Sequence, residues 1–281
     1  MVGDTINTVV NLGTTVFVLS TMLAVGLDLS LGQFREAVGR PRLVTKSLLV
    51  NLVVVPTLAY LLVRTIPMAP SYAAGVVLLA VAPGAPFGPK LAEISDSDLA
   101  FASGLMAILA VVSVATIPVS LALLLPGSVT VDPFAIGRLV FGVQLVPLLA
   151  GLAVTALKTP VADALYPSVQ RLSDYSFAFL IVVLLVAYLD DMMALVGTGA
   201  LAASSVAVVG SLLVGYALGG PRRSTREVLA TTTAARNAAI ALFVATAGFS
   251  DPDVLTVVLA FSFLGVVSSA LIAAKWRRRP R

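Results

Sequence analysis

The chain is 281 residues long with a formal net charge of +4; 59% of it is hydrophobic and only 11% charged, and its mean hydropathy is +1.04. A soluble domain needs about a quarter of its residues charged to cover its surface, so most of this surface faces lipid, and the absence of strand-period alternation makes the crossing elements helices rather than barrel strands. Cysteine and histidine are both absent, which excludes disulfides, thiolate catalysis, Cys- or His-type metal sites and the ordinary proton carrier of neutral pH.

Apolar runs long enough to cross a hydrocarbon core of about 30 Å predict about nine transmembrane helices, near residues 6–27, 42–64, 70–92, 97–125, 134–157, 172–190, 193–219, 227–249 and 254–275. Met1 to Asn7 contain no basic residue, so no signal peptide is expected. Alternate loops hold Arg35, Arg40, Arg42 and Lys46, then Lys90, then Lys158 and Arg171, then Arg222, Arg223 and Arg226; Lys275, Arg277, Arg278, Arg279 and Arg281 follow the last span. The other set holds only Arg64 and Arg138, beside Asp4, Asp132, Asp190, Asp191, Asp251 and Asp253. By the positive-inside rule the N-terminus lies outside and the C-terminus in the cytoplasm, which demands an odd number of spans. The expected setting is a bacterial inner membrane, with Trp276 at the interface and the terminal arginines suited to anionic lipid headgroups. The basic balance therefore reflects topology and does not point to nucleic acid.

Two spans break the pattern of a plain lipid-facing helix. In the third, Val81-Ala82-Pro83-Gly84-Ala85-Pro86-Phe87-Gly88-Pro89-Lys90 cannot continue one regular helix, since each interior proline costs about 3 kcal/mol. Unwound backbone at membrane depth is tolerated only where it lines a cavity or is buried in protein, and Gly/Pro-interrupted spans point to transporter sites. The eighth span reads Thr231-Thr232-Thr233-Ala234-Ala235-Arg236-Asn237. Helical spacing puts Arg236 about 15 Å deeper than Arg226. A cation there costs at least about 2.5–3.5 kcal/mol if it faces lipid, so it should face the bundle interior and meet an anion or carbonyls. Lys90 either contributes to a site or pairs with Glu93 at i,i+3. Asn51, ahead of Pro56, either serves a site or makes an interhelical hydrogen bond; Gln144, ahead of Pro147, is read as the latter.

These segments together resemble the bile acid:sodium symporter family. Gly26-Leu27-Asp28-Leu29-Ser30 with Phe34 and Arg40-Pro41 resembles the family's motif at the end of the first of nine shared helices. Asn51 to Leu62 resembles the next helix, and Pro83-Gly84 with Asp98 resembles the unwound helix and its following turn. Thr225 to Leu242, with the shared Asn237, resembles the second unwound helix. The resemblance implies an all-α polytopic fold in which 1–281 form one transporter unit. Core helices at approximately 42–125 and 193–275 would contain two broken helices that cross, panel helices at approximately 6–27 and 134–190 would flank them, and the two halves would form an inverted repeat. Family substrates include bile acids, steroid sulfates and small carboxylates.

The departures from the family pattern fall on its sodium ligands. A Ser-Asn pair is replaced by Gly88-Pro89, a Ser and a Thr in the following helix by Ala102 (with Ser103 adjacent) and Met106, a Glu and a Gln in the second broken helix by Thr232 and Arg236, and a Gln in the second helix by Asn51. A sodium site needs several oxygens and usually a carboxylate, so these positions argue against sodium; a rearranged ion-coupling site would draw on Asn51, Thr232, Thr233 and Ser103. The expected substrate site gathers Arg236, Asn237, Thr231, Thr232, Thr233, Pro86, Gly88 and Lys90 around a small organic anion, with Arg236 as a bidentate fork and helix N-termini adding positive charge.

The leading expectation is therefore a secondary carrier of an organic anion (carboxylate, sulfonate or bile-acid-like) working by alternating access. A sodium-independent uniporter or exchanger using Arg236 and Lys90 as fixed cations is the first alternative, and a membrane sensor or binding module that does not transport is the second. No cofactor, metal or obligatory protein partner is expected. An enzyme is not expected either: no carboxylate pair lies within a span, and Asp190 with Asp191 reads as a solvated pair. No repeated carbonyl filter suggests a channel.

Overall fold

A computed structural model describes residues 2–129 and 131–278; Arg279, Arg281 and the side chain of Asp4 lie outside the described residues. Every regular element among them is helical. In chain order these are α1 (Val2–Asp28), α2 (Leu31–Val38), α3 (Pro41–Leu49), α4 (Val55–Thr65), α5 (Pro70–Ala80), α6 (Gly88–Ser95), α7 (Leu99–Leu124), α8 (Pro133–Val140), α9 (Val146–Leu157), α10 (Thr159–Ala194), α11 (Ala200–Leu218), α12 (Arg223–Ala235), α13 (Ala238–Gly248) and α14 (Pro252–Arg277). Two π-turns, Val50–Val54 and Phe141–Leu145, join α3 to α4 and α8 to α9 into continuous rods.

The π-turns sit where proline puts them. Pro56 and Pro147 have no N–H to give and crowd the carbonyl four residues back, so the ladder ahead of each widens to i→i+5: Val55 N–H reaches Val50 O, and Val146 N–H reaches Phe141 O. The next acceptor in the first series is Asn51 O, whose π partner would be the absent N–H of Pro56. That carbonyl is left for a donor from elsewhere.

Seven helices among the described residues are long and apolar enough to cross a membrane alone: Thr8–Asp28, Pro41–Thr65, Leu99–Leu124, Pro133–Leu157, Ala200–Leu218, Arg223–Gly248 and Pro252–Arg277. This is a multi-pass membrane protein. α5, at 11 residues, is too short by itself and ends in the proline-rich stretch. α10 begins at Thr159, well before the expected 172, and departs from helical geometry at Tyr188 (φ −122°). The early start follows from Pro160, which suits the first turn of a helix. α2 was not expected; Ser30 and Gln33 nucleate it with a capping box, Gln33 N–H donating to Ser30 Oγ (3.1 Å) and Ser30 N–H to Gln33 Oε1 (3.0 Å).

Lipid offers no hydrophobic drive between helices, so close approach and polar contacts hold them together. α1 packs on α9 and α10. A Cβ on Gly26 would lie 2.2 Å from Leu148 O, and one on Gly151 2.5 Å from Leu23 O. Thr155 Oγ1 donates to Leu27 O at 2.9 Å, and Thr21 shares a 2.6 Å hydrogen bond with Ser173 of α10. A second group surrounds α12–α13: α11 lies against α12 at Gly215, and α14 against it at Gly265.

The basic loops gather at one end of the bundle. Arg40 pairs with Asp98 (2.5 Å) and with Glu36, Ser97 donates to Glu227 (2.7 Å), and Arg223 bonds both Glu227 (2.7 Å) and Trp276 O (3.3 Å). The hydrogen bond to Asp98 holds the Arg40 guanidinium above even its ordinary range, so it stays charged. Asp98 also caps α7 through Phe101 N–H. At the opposite end, Ser71 reaches Asp253 at 3.4 Å.

Candidate functional site

Both expected interruptions are present, and they touch. After Ala80 the chain unwinds from Val81 to Phe87, with Gly84 at φ +83° where its backbone abuts Met106 O and Ala110 N of α7. Between α12 and α13 the chain breaks at Arg236, which adopts φ 50°, a conformation that a non-glycine residue holds only when its surroundings fix it. Asn237 then restarts the helix, its Oδ1 accepting from Ile240 N–H at 3.2 Å. Asn237 N–H donates to Ala82 O at 2.9 Å, linking one break to the other. A few residues away, Gly88 meets Thr232: an added Cβ would be 2.8 Å from Thr232 Cγ2.

What fixes Arg236 is its own side chain, which is fully buried. Nε donates to Leu79 O (3.3 Å), Nη1 to Asn51 Oδ1 (2.9 Å), and Nη2 to Asn51 O (3.3 Å) and to Ala80 O. Each acceptor has a local reason to take a side-chain donor. Leu79 and Ala80 are the last residues of α5, where carbonyls lose their α-helical partners; Leu79 O also accepts from Ala82 N–H at 3.1 Å and gives Arg236 its second lone pair, and Asn51 O is the carbonyl stranded by Pro56. The Asn51 amide is held in turn, Nδ2 donating to Thr233 Oγ1 at 3.2 Å and Ser47 O at 3.0 Å. No carboxylate pairs with Arg236 among the described residues; its counter-charge is the negative end of α5 and backbone dipoles.

A second polar chain runs from the same break. Asn237 Nδ2 donates to Gln144 Oε1 (3.2 Å), and Gln144 Nε2 donates to Ala110 O (2.7 Å) and Ser113 Oγ (2.6 Å). Gln144, expected to make an interhelical hydrogen bond, makes three contacts of that kind from within the second π-turn.

A cavity of about 370 Å³ lies between α1 and α10 on one side and α6 and α7 on the other. Its deep end holds Phe17, Phe87 and Phe177, with ring centroids 5.0 and 5.3 Å from Phe177, beside Thr21, Ser173, Ser103 and Met106. Its mouth holds Asp28, Lys90, Glu93, Tyr166, Gln170 and Asp174. From Asp28 to Phe17 along α1 it runs about 16 Å deep, at 1.5 Å per residue. α6 starts at the cavity without a side-chain cap, so its positive end faces the space beside Pro86 and Pro89.

The expected site residues thus separate. Pro86, Lys90 and Ser103 line the cavity. Arg236, Asn237 and Thr233 lie in the buried networks, Thr231 is buried beside them without joining, and Thr232 and Gly88 form the crossing between α12 and α6. The Arg236 fork is turned onto carbonyls and the Asn51 amide rather than into the cavity, because those stranded acceptors surround it. Thr231 and Thr232 return their hydroxyls to their own helix, at Glu227 O (2.9 Å) and Val228 O (2.7 Å). Lys90 is 70% exposed and pairs with Glu93 at 2.7 Å. Apart from Asp28, which lies in the Gly26–Ser30 motif, the cavity residues of α1 and α10 were not singled out in the sequence. Their signal was there, a stripe at helical spacing in each helix: Phe17, Thr21, Ala24 and Asp28, and Tyr166, Gln170, Ser173 and Phe177.

A family model for the sodium bile acid symporter family matches residues 15–195, nearly two thirds of the chain. The chain belongs to the sodium bile acid symporter family. Similar proteins include the probable sodium/metabolite cotransporter BASS3, chloroplastic, of Oryza sativa subsp. japonica, 30% identical over 146 residues that cover 52% of this chain and 34% of the relative. The Arabidopsis thaliana proteins of the BASS3 and BASS1 names are each 29% identical, over 146 and 148 residues. The matched segment thus spans about a third of the length of these relatives. As a family it is one of transporters rather than enzymes. No group of three or more acidic residues among those described is placed to hold a metal ion.

Proposed function

We propose that this protein is a secondary carrier of a small organic anion, and that the cavity between α1–α10 and α6–α7 is where the anion binds. The observation that carries the reading is the composition of that cavity: the uncapped N-terminus of α6 supplies positive charge, hydroxyls of Thr21, Ser173 and Ser103 supply hydrogen bonds, and three phenylalanines supply an apolar floor, while at the mouth Lys90 is paired with Glu93 and stands beside Asp28 and Asp174. A carboxylate or sulfonate with an apolar body has the matching chemistry. The relatives' printed names, sodium/metabolite cotransporters, support transport of a metabolite.

The same reading takes α5–α6, with its unwound centre, and α10 as full spans, giving nine. α1, α8–α9 and α10 form the panel and the remaining spans an inverted-repeat core, moving against each other in alternating access. The basic end faces the cytoplasm, so the cavity, which opens beside Lys90, is the cytoplasm-facing site of a bacterial inner-membrane carrier.

The test is flux. Purified protein in lipid vesicles is offered radiolabelled small carboxylates, sulfonates and bile acids, and accumulation or exchange is followed. Ser173→Phe, which fills the deep end, is expected to abolish flux in a protein that still folds with a midpoint lowered by loss of the bond to Thr21, and Lys90→Gln to raise the half-saturating anion concentration several-fold. Binding of an anion without flux in any gradient would instead identify a sensor. Unaltered flux through Ser173→Phe would place the anion elsewhere.

A further inference from the structure

We propose that Arg236 is the resident cation of a built-in oxygen cage, and that the cage, once emptied of this side chain, accepts a free guanidinium ion. Four oxygens converge on one point inside the protein: Leu79 O, Ala80 O, Asn51 O and Asn51 Oδ1. Three of them belong to the backbone; Ala80 O and Asn51 O are released by features independent of Arg236, namely the end of α5 and the bulge ahead of Pro56, while Leu79 O is shared with Ala82 N–H (3.1 Å). Their dipoles sum to a site of negative potential with no acidic side chain, which is the environment of a monovalent cation held by carbonyls. The guanidinium fills it with four of its five N–H donors.

The arrangement does not fit a sodium ion at this place. Such an ion is coordinated by oxygen, and the oxygens that converge here are already engaged. A permanent positive charge fixed among them would repel it. Thr232, whose hydroxyl is turned back to Val228 O, and Gly88, which has no side chain, offer no replacement set. What the relatives' names give as a separate co-substrate is here part of the chain as far as this cage is concerned. The charge is present in every conformation in which the two breaks stay joined, and it adds no sodium dependence to stability or to ligand binding. The positive φ of Arg236 belongs to the same device: the backbone accepts an unfavourable conformation that delivers the side chain across to Asn51 and the end of α5.

The experiment is thermal unfolding in detergent at constant ionic strength, without any organic anion, for the wild type and Arg236→Ala. Choline chloride is exchanged stepwise for sodium chloride, or millimolar guanidinium chloride is added with urea as the neutral isostere. The expected result is a wild-type midpoint indifferent to sodium against choline, an Arg236→Ala midpoint lower by about 5 °C or more, and a saturable recovery of that variant with guanidinium but not urea. A saturable, sodium-specific rise of the wild type overturns the proposal, as does a failure of guanidinium to stabilise Arg236→Ala above the urea control. If Arg236→Ala yields no folded protein, Arg236→Lys is compared with Arg236→Met: a higher midpoint for lysine supports a resident cation, and an equal or lower one overturns it. Because no transported anion is present, failure here leaves the carrier reading standing, and absence of flux leaves this one.

Discussion

Between Gly88 and Thr232 there is room for a hydrogen atom and no more. A methyl at residue 88 would sit 2.8 Å from Thr232 Cγ2, and Thr232 cannot simply turn aside, since its hydroxyl is bonded to Val228 O at 2.7 Å. Gly88→Ala should therefore lower the thermal midpoint. Thr232→Ser removes the offending methyl while keeping the hydroxyl, so the double variant should regain most of the loss, a coupling of about 1 kcal/mol or more in a double-mutant cycle. Additive losses would mean that the half-helices do not cross there. At this scale the sequence announced the unusual residues but not their partners. Arg236 was conspicuous because a buried guanidinium must be neutralised by something; which oxygens would neutralise it depended on where Leu79, Ala80 and Asn51 lay in space, and no spacing along the chain encodes that.

Helices in this protein are shaped by proline and fitted by glycine. Proline positions made the break after Ala80 legible, because three of them in seven residues leave no helical continuation. They did not make the π-turns legible: Pro56 and Pro147 mark a disturbed ladder without saying whether the helix kinks, ends or widens. The fit between α1 and α9 rests on two glycines that face one another, with Leu148 O and Leu23 O occupying the space where side chains would be. Those are backbone atoms and cannot rotate away. Gly151→Val should cost about 3 kcal/mol or more, seen as loss of monodisperse protein on size-exclusion chromatography. Ala153→Val, on the exposed face of α9, serves as a control for bulk alone. A monodisperse Gly151→Val with an unchanged midpoint would show that α1 and α9 do not approach this closely.

For the molecule as a whole, the segregation of charge between the two ends was legible in the sequence, because the basic residues fall in alternate loops, and the proposed orientation follows from it. A chain without cysteine makes this directly measurable. Arg278→Cys and Ser128→Cys, both exposed and at opposite ends, should react with a membrane-impermeant maleimide from opposite faces: residue 128 in intact cells, residue 278 only in inverted vesicles. Labelling of both from one face would defeat the orientation. The cavity was the least legible feature, since it belongs to neither half of the chain and forms only where α1 and α10 face α6 and α7.

The widened turn at Val50–Val54 also has a bearing on how this protein is compared with others. A π-turn contains one residue more than the α-helical ladder it replaces, and one extra residue rotates everything before it by about 100° about the helix axis. Against a protein whose corresponding helix is regular, an ungapped match that is in phase at Tyr60 is out of phase at Ser47, and Asn51 falls at the seam. Equivalence of position there has to be judged by which face a residue occupies and what it touches, and the same holds around Gln144.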